Sequence, residues 1–407
     1  MLGRRIKAAL SFISALSVLA TSASAHKLFD FKGGSLSDST TGTISKQCTG
    51  LAALDPKPGE IVKHDFERRE CGPKDVFIEI SYCGMCHSDY HTIKGEWGWP
   101  GGYPLVVGHE ITGIVAEVGS EVSKFKVGDR VGVGCFVESC RECESCKTEK
   151  VQYCYQGCIQ TYNFKHPTDK VNEITMGGYS TSITVDQDFV LKIPKEMSMD
   201  TGAPLLCAGI TMWSPLVHFG VRKGRKKVGI VGFGGLGHMG VKLAKAMGNE
   251  VTVFSTSPSK QAAAEALGAD FVVSKDEEAM KSLALSFDLI IDTASAPHPI
   301  SGYLALLKPE CTFCMVGASP EPFTDVGPFN VLANRLSLAG SLVGGIKETQ
   351  EMLNFCGKHG IEADIELIPA SQVNAAMEAL GKYTGSTFRH VIDIKNTLST
   401  DTQVEPL

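Results

Sequence analysis

The tightest constraint on how this chain can fold is a glycine loop set between an apolar run and a helical one. Gly232-Phe233-Gly234-Gly235-Leu236-Gly237 follows the apolar residues 227–231 and opens the stretch 236–247, whose apolar side chains recur at helical spacing. A G-x-G-x-x-G string alone is a weak signal; after a strand and at the head of a helix it becomes a dinucleotide fingerprint. Its glycines allow a tight turn and let the backbone approach a pyrophosphate, which sits at the helix N-terminus. Strand and helix signals alternate behind it, at 250–254, 259–267, 271–273, 287–291 and 311–316. That alternation predicts an α/β fold with a doubly wound parallel sheet.

The end of the next predicted strand selects the cofactor. An NAD site places Asp or Glu there for the ribose 2′-hydroxyl. This chain reads Ser255-Thr256-Ser257-Pro258-Ser259-Lys260, and hydroxyls with a lysine suit a 2′-phosphate that a carboxylate would repel. NADP(H) is therefore expected, held by Gly232, Gly234, Gly235, Leu236, Gly237, Ser255, Thr256, Ser257 and Lys260.

Fourteen cysteines are many for 407 residues. Cys140-x2-Cys143-x2-Cys146-x7-Cys154 suits a closed tetrahedral zinc held by four thiolates, a structural role. Cys135 and Cys158 flank the cluster and read as bystanders. A second group is Cys83-Gly-Met-Cys86-His87-Ser88-Asp89-Tyr90-His91, followed by Gly108-His109-Glu110. A catalytic zinc takes three protein ligands and keeps one position open. Cys86 and His109 read as two of them, with Ser88 placed to handle a proton. Cys207, in the apolar run 204–209, offers a thiol at the seam of the two halves, although a lone Cys in such a run is often a small core residue. Cys83 and Cys86 could equally form a redox pair or share one metal; spacing leaves that open.

Residues 1–25 read as a targeting segment. Arg4, Arg5 and Lys7 precede the mostly apolar residues 8–20, and Ala23-Ser24-Ala25 is a cleavage signature that places the mature start at His26. The run is too short to span a bilayer, so no stable membrane span is expected. A secretory signal peptide points to the secretory pathway. A Ser-rich segment with no acid before Asp30 also fits an organellar transit peptide, and cytoplasmic retention is the further alternative; an oxidising compartment would expose unligated thiols to disulfide formation. Residues 26–45 read as a polar linker, and strands are expected at 76–80, 111–118 and 130–133. Helices at 347–358 and 371–381, a strand at 389–394 and a loose tail at 397–407 close the chain. A net charge of −6 with no concentrated basic patch excludes a nucleic-acid footprint.

Taken together, Tyr82 to Asp89, Gly108-His109-Glu110, the four-cysteine lobe, Cys207-Ala-Gly-Ile-Thr211 and residues 232–240 resemble the zinc-dependent medium-chain alcohol dehydrogenases. Gly344 to Glu351 and Phe388-Arg389-His-Val-Ile-Asp393 resemble the cinnamyl alcohol dehydrogenase type, with its broad-range NADP-dependent aldehyde reductases. The similarity covers residues 46–396. It implies a GroES-like catalytic domain from 46–196 and 345–396 around a Rossmann domain at 197–344, and a homodimer. It also implies Cys207 as third catalytic zinc ligand, Glu110 as an acid able to swing onto the metal, and Asp89 as the group orienting the ligand histidine. Ser88 and His91 match the proton relay, Thr211 falls on the cofactor side, and Cys83 has no assigned duty.

The substrate implied is a small aldehyde or alcohol: aromatic, allylic or aliphatic. Trp97, Trp99 and Tyr103 lie between the metal motifs and suit an aromatic-accepting pocket. The plant cinnamyl enzymes carry a tryptophan where this chain has Gln160, which argues against a dedicated lignin-precursor role. The competing reading is a zinc- and nucleotide-binding protein with a redox-sensing or binding role and little turnover.

Overall fold

The computed structural model describes residues 45–98, 101–319, 321–382 and 388–407, so the expected leader, most of the linker and Trp99 lie outside the described residues. The chain opens with an antiparallel hairpin, β1 (Ser45–Ala53) and β2 (Ile61–Arg69). β3 (Asp75–Gly84) follows and leads into the short helix α1 (His87–Ile93). β4 (Ile111–Val118), β5 (Arg130–Val133), the small pair β6 (Phe136–Glu138) and β7 (Ile159–Gln160), β8 (Ser182–Asp186) and β9 (Leu191–Lys192) complete the first part. Period-two burial explains the strands: Val76, Ile78 and Ile80 all point inward from β3.

Helix α2 (Ala208–His218) bridges to the second part. β10 (Lys227–Val231) runs into the glycine loop and α3 (Gly235–Ala246), which buries Met239, Val241, Leu243 and Ala244 at helical spacing. β11 (Glu250–Ser255), β12 (Asp270–Val273), β13 (Phe287–Asp292), β14 (Leu307–Met315) and β15 (Ser337–Gly340) follow. They form one six-stranded sheet in the order β12-β11-β10-β13-β14-β15, parallel throughout. Its order reverses between β10 and β13, and ligands of such sheets bind outside the carboxyl ends at that switch point. β15, a four-residue strand without a strong apolar run, was not legible in the sequence and forms an open edge.

The chain then returns. After α4 (Ile346–His359) come β16 (Glu366–Pro369), α5 (Val373–Gly381) and β17 (His390–Asp393). β17 pairs antiparallel with β3 at Tyr82, Cys83 and Gly84, completing a sheet ordered β16-β17-β3-β4-β5-β9 with β8 also on β3. One apolar core fills this first domain; two others pack against opposite faces of the parallel sheet. Among the described residues no helix is long and apolar enough to cross a membrane.

The tail, expected to be loose, is docked. Glu405 N donates to the Ser371 carbonyl (2.9 Å), Lys63 Nζ donates to that of Thr400 (2.8 Å), and Val404 packs on the core. Buried Asn374 explains why: its Oδ1 accepts from Ile61 N (2.8 Å), and its Nδ2 donates to the carbonyls of Ile61 (3.0 Å) and Glu405 (3.1 Å). One carboxamide thus ties the hairpin, α5 and the tail. Asn374→Ala leaves these groups unpaired and is expected to cost about 2 kcal/mol in urea unfolding, with the last residues newly open to carboxypeptidase; an unchanged midpoint would refute the role.

Candidate active site

The metal-binding candidates are gathered by the turn after β3. Cys86 is the N-cap of α1, so Ser88 and His91 follow on the helix three residues apart and share a face. The donor atoms of Cys86, His109, Glu110 and Cys207 all lie within 4.8 Å of one another, and all four residues are buried. Cys86 Sγ is 3.9 Å from Cys207 Sγ. A tetrahedron with Zn–S bonds of about 2.3 Å has edges of about 3.8 Å, so the pair is set for one ion. The neighbouring Cys207 thiol, with Arg389 and His109, holds Cys86 well below the usual thiol range against the effect of burial, while Cys135, Cys86 and burial hold Cys207 well above it. Cys83 stands apart from this group, its buried Sγ 3.7 Å from the Gly84 carbonyl. All fourteen cysteines are free thiols, and Cys86 but not Cys83 joins the metal-ligand group.

Asp89 organises the cluster. Its Oδ1 accepts from His109 Nδ1 (3.1 Å) and Gly108 N (3.3 Å), and its Oδ2 from Cys86 N and the Tyr179 hydroxyl (both 3.0 Å). With Nδ1 so engaged, His109 turns Nε2 to the metal-binding group. Among the described residues Glu110 has no hydrogen-bond partner for either oxygen; the Arg389 guanidinium lies 3.4 Å from it. Burial pushes the Glu110 carboxyl up to about 8, against the pull of Arg389. A buried carboxyl without donors beside two thiols fits a site built for a cation.

Three neighbours were missed in the sequence. Cys135, expected to be a bystander, is buried beside Cys207, whose neighbouring thiol lowers it. Glu96 holds His91: its Oε2 lies 2.5 Å from Nδ1, while Trp97 stacks on the ring at 5.1 Å and Nε2 has no hydrogen-bond partner among the described residues. Arg389 donates to the Met85 carbonyl (3.0 Å) and packs over Gly235, where a Cβ would meet its guanidinium at 2.7 Å. Only Glu96 carried a usable signal, an acid five residues beyond a candidate relay histidine.

Through Cys86, Ser88, His91 and Arg389 the site reaches a cleft of about 530 Å³. Cys86, His87, Ser88, His91 and Trp97 form one side; the glycine loop, Leu236, Ser255, Thr256, Ser257, Lys260 and the segment 293–298 form the other. A Cβ on Gly237 would lie 2.2 Å from the Gly232 carbonyl oxygen, so the loop packs against its helix only with glycine there. Lys260 donates to the Phe233 carbonyl (3.0 Å) and has no carboxylate partner among the described residues, which leaves its charge for a phosphate. Ser88 Oγ sits 3.6 Å from Cys86 Sγ, at the junction of the two walls. Thr211 is buried early in α2 and is not among the groove-lining residues; Tyr103 donates to the Ile93 carbonyl and lines a separate cavity of about 120 Å³.

The second cluster matches its spacing. The Sγ atoms of Cys140, Cys143, Cys146 and Cys154 lie within 4.8 Å of one another, Cys140 and Cys146 at 3.9 Å. Burial opposes it, but N–H donors from Tyr155 and Cys146 and the neighbouring thiols bring Cys143 down to about 6. A wider depression of about 820 Å³ lies beside this lobe, but its Lys124 and Arg141 are already paired with acids and no reactive groups converge there.

A cleft that joins a dinucleotide groove to a cluster of metal-ligand types defines a metal-dependent dehydrogenase. Residues 72–195 match the alcohol dehydrogenase GroES-like domain, and residues 235–358 match the zinc-binding dehydrogenase domain. A vomilenine reductase from Rauvolfia serpentina is 52% identical over 351 residues, 86% of this chain and 95% of that protein. Among solved structures, a cinnamyl alcohol dehydrogenase from Sorghum bicolor superposes with a TM-score of 0.83 at 44% identity, covering 88% of this chain and all (100%) of that one. A Helicobacter pylori cinnamyl alcohol dehydrogenase complexed with NADP(H) gives 0.80 at 42% identity, covering 87% and 100%. The chain belongs to the zinc-dependent alcohol dehydrogenases of the cinnamyl alcohol dehydrogenase type. It is accordingly an oxidoreductase that works with zinc and NADP(H).

Asp89→Asn keeps the shape but weakens the acceptor that orients His109. Zinc affinity at the Cys86 cluster is expected to fall about 10- to 100-fold, read by competition with a chromophoric chelator; unchanged affinity would refute the orienting role.

Proposed function

We propose that this enzyme reduces aromatic, allylic and aliphatic aldehydes with NADPH, reversibly, and that Cys86, His109 and Cys207 hold its catalytic zinc. The observation that carries this reading is that Cys86, with His109 and Cys207 gathered around it, shares one cleft with Ser88 and the dinucleotide groove. Bound zinc supplies a Lewis acid for a carbonyl or alkoxide oxygen, and NADPH supplies the hydride. The protein's own residues do the rest. Ser88 passes the proton between the reacting oxygen and the cofactor side, His91 hands it to solvent, and Glu96 fixes the His91 ring. Asp89 orients His109, and Glu110 stands as a reserve ligand restrained by Arg389. Cys140, Cys143, Cys146 and Cys154 hold the structural zinc that gives their lobe its shape.

Trp97 against His91, with Ala296, Val316 and Leu380 also lining the cleft, favours flat or unbranched apolar substrates. Gln160 in place of the tryptophan of the plant enzymes supports a broad range over a dedicated lignin precursor. The test is NADPH oxidation by the zinc-replete full chain with cinnamaldehyde and benzaldehyde. Turnover is expected, lost with a chelator and lowered about 100-fold in Ser88→Ala with NADPH binding retained. A protein that binds NADPH but reduces no aldehyde would instead be a nucleotide- and zinc-binding protein.

We further propose that the working form is a homodimer joined through β15. That strand is an open sheet edge, and Phe329 (81% exposed), Leu332 (68%), Leu338 and Leu342 present apolar surface around it. Edges of this kind are covered in working proteins, and a second copy about a two-fold axis covers both at once. Sedimentation at micromolar concentration is expected to show a dimer that Leu338→Lys converts to monomer; a monomeric wild-type chain would overturn the assignment.

A further inference from the structure

Asp292 ends β13 at the switch point of the parallel sheet, and the loop after it walls the cofactor groove opposite the glycine loop. Thr293 fastens the start of that wall, donating from N (2.9 Å) and Oγ1 (2.7 Å) to the Val231 carbonyl, and residues 293–298 all line the groove. His298 fastens its far end. The ring faces acceptors on both sides: Nδ1 lies 2.9 Å from the Ala296 carbonyl oxygen, and Nε2 lies 3.2 Å from Oδ2 of Asp292, itself only 1% exposed. A neutral imidazole has one N–H and would turn a lone pair on one of these oxygens. Only the imidazolium suits both. The Nε2–H is off the line of a regular hydrogen bond, so its pairing with Asp292 is chiefly one of charge.

The titratable groups facing His298 are Asp292 from β13, Asp325 from the loop ahead of residues 328–332, and Tyr303 from residues 301–304, whose ring meets it edge-on as does that of Phe323. No lysine or arginine is among them. We propose that His298 is a positioning residue for NADP(H): as an imidazolium it bridges Asp292 and the Ala296 carbonyl, holds the wall 293–298 in place, and thereby tightens dinucleotide binding at low pH. The inference rests on the groove being the cofactor site. The Asp292 carboxylate beside it, with help from the Ala296 carbonyl, raises the imidazole above its ordinary value. A raised folded-state value makes the bridge complete below about pH 6.5 and lost as pH climbs through the raised value.

The experiment is fluorescence titration of the zinc-replete full chain with NADPH, for the wild type and His298→Gln, across pH. The ratio of the two Kd values cancels the titration of the cofactor phosphate and of Lys260, which both proteins share. His298→Gln is expected to bind about fivefold more weakly near pH 6 and equally near pH 9. Asp292→Asn, which removes the counter-charge, should repeat that pattern. A ratio that stays constant with pH, at one or at any other value, overturns the proposal. A wild-type chain that binds no NADPH at any pH overturns the groove assignment itself, and the proposal with it.

Discussion

The four hydrogen bonds converging on buried Asp89 are the interaction on which the site depends. They join α1, the loop ahead of β4 and the segment carrying Tyr179, three pieces of chain far apart in sequence. A carboxylate removed from water survives only where donors surround it, so each donor is also held in place by it. Through Cys86 N and His109 Nδ1 the same group sets the directions of two side chains of the candidate metal site. The site's geometry is thus a consequence of satisfying one buried charge.

Around that anchor the protein concentrates groups that oppose burial. Two thiols, a carboxyl without donors among the described residues and a guanidinium are buried together. Such a set is unfavourable unless a cation completes it, because the charges present are not matched by hydrogen bonds. Arg389 is the member that links the two domains. It arrives on the returning chain just ahead of β17, binds the carbonyl of Met85 beside the metal-ligand turn and packs on Gly235 of the dinucleotide loop. The closing of the first sheet by β17 and the placing of the cofactor loop are therefore one event. The wall from Thr293 to His298 shows the same economy, with Asp292 serving both the end of a strand and the loop that follows.

What could be read from the sequence had local causes. The four-cysteine lobe, the glycine loop and the Ser255 to Lys260 segment each lie within a short stretch, where spacing along the chain nearly equals spacing in space. Glu96, Cys135 and Arg389 could not be read in this way. Glu96 meets His91 because α1 ends and turns back; Cys135 reaches Cys207 across the seam between domains; Arg389 returns from some three hundred residues away. The tail from Leu398 to Leu407 is polar and reads as loose, yet Asn374 and Ser371 capture its backbone, which polarity cannot foretell.

The sequence by itself determined the alternating architecture of the second domain, the ligand types of two metal clusters and the preference for a phosphorylated dinucleotide. These follow from periodicity, thiol spacing and the charge at one strand end. Only the tertiary structure decided that Cys135 lies beside Cys207, that Glu110 faces a guanidinium, and that His298 is gripped between two acceptors. Those are facts of three-dimensional proximity between distant segments, and proximity of that kind is settled by how the cores pack and not by any local pattern of residues.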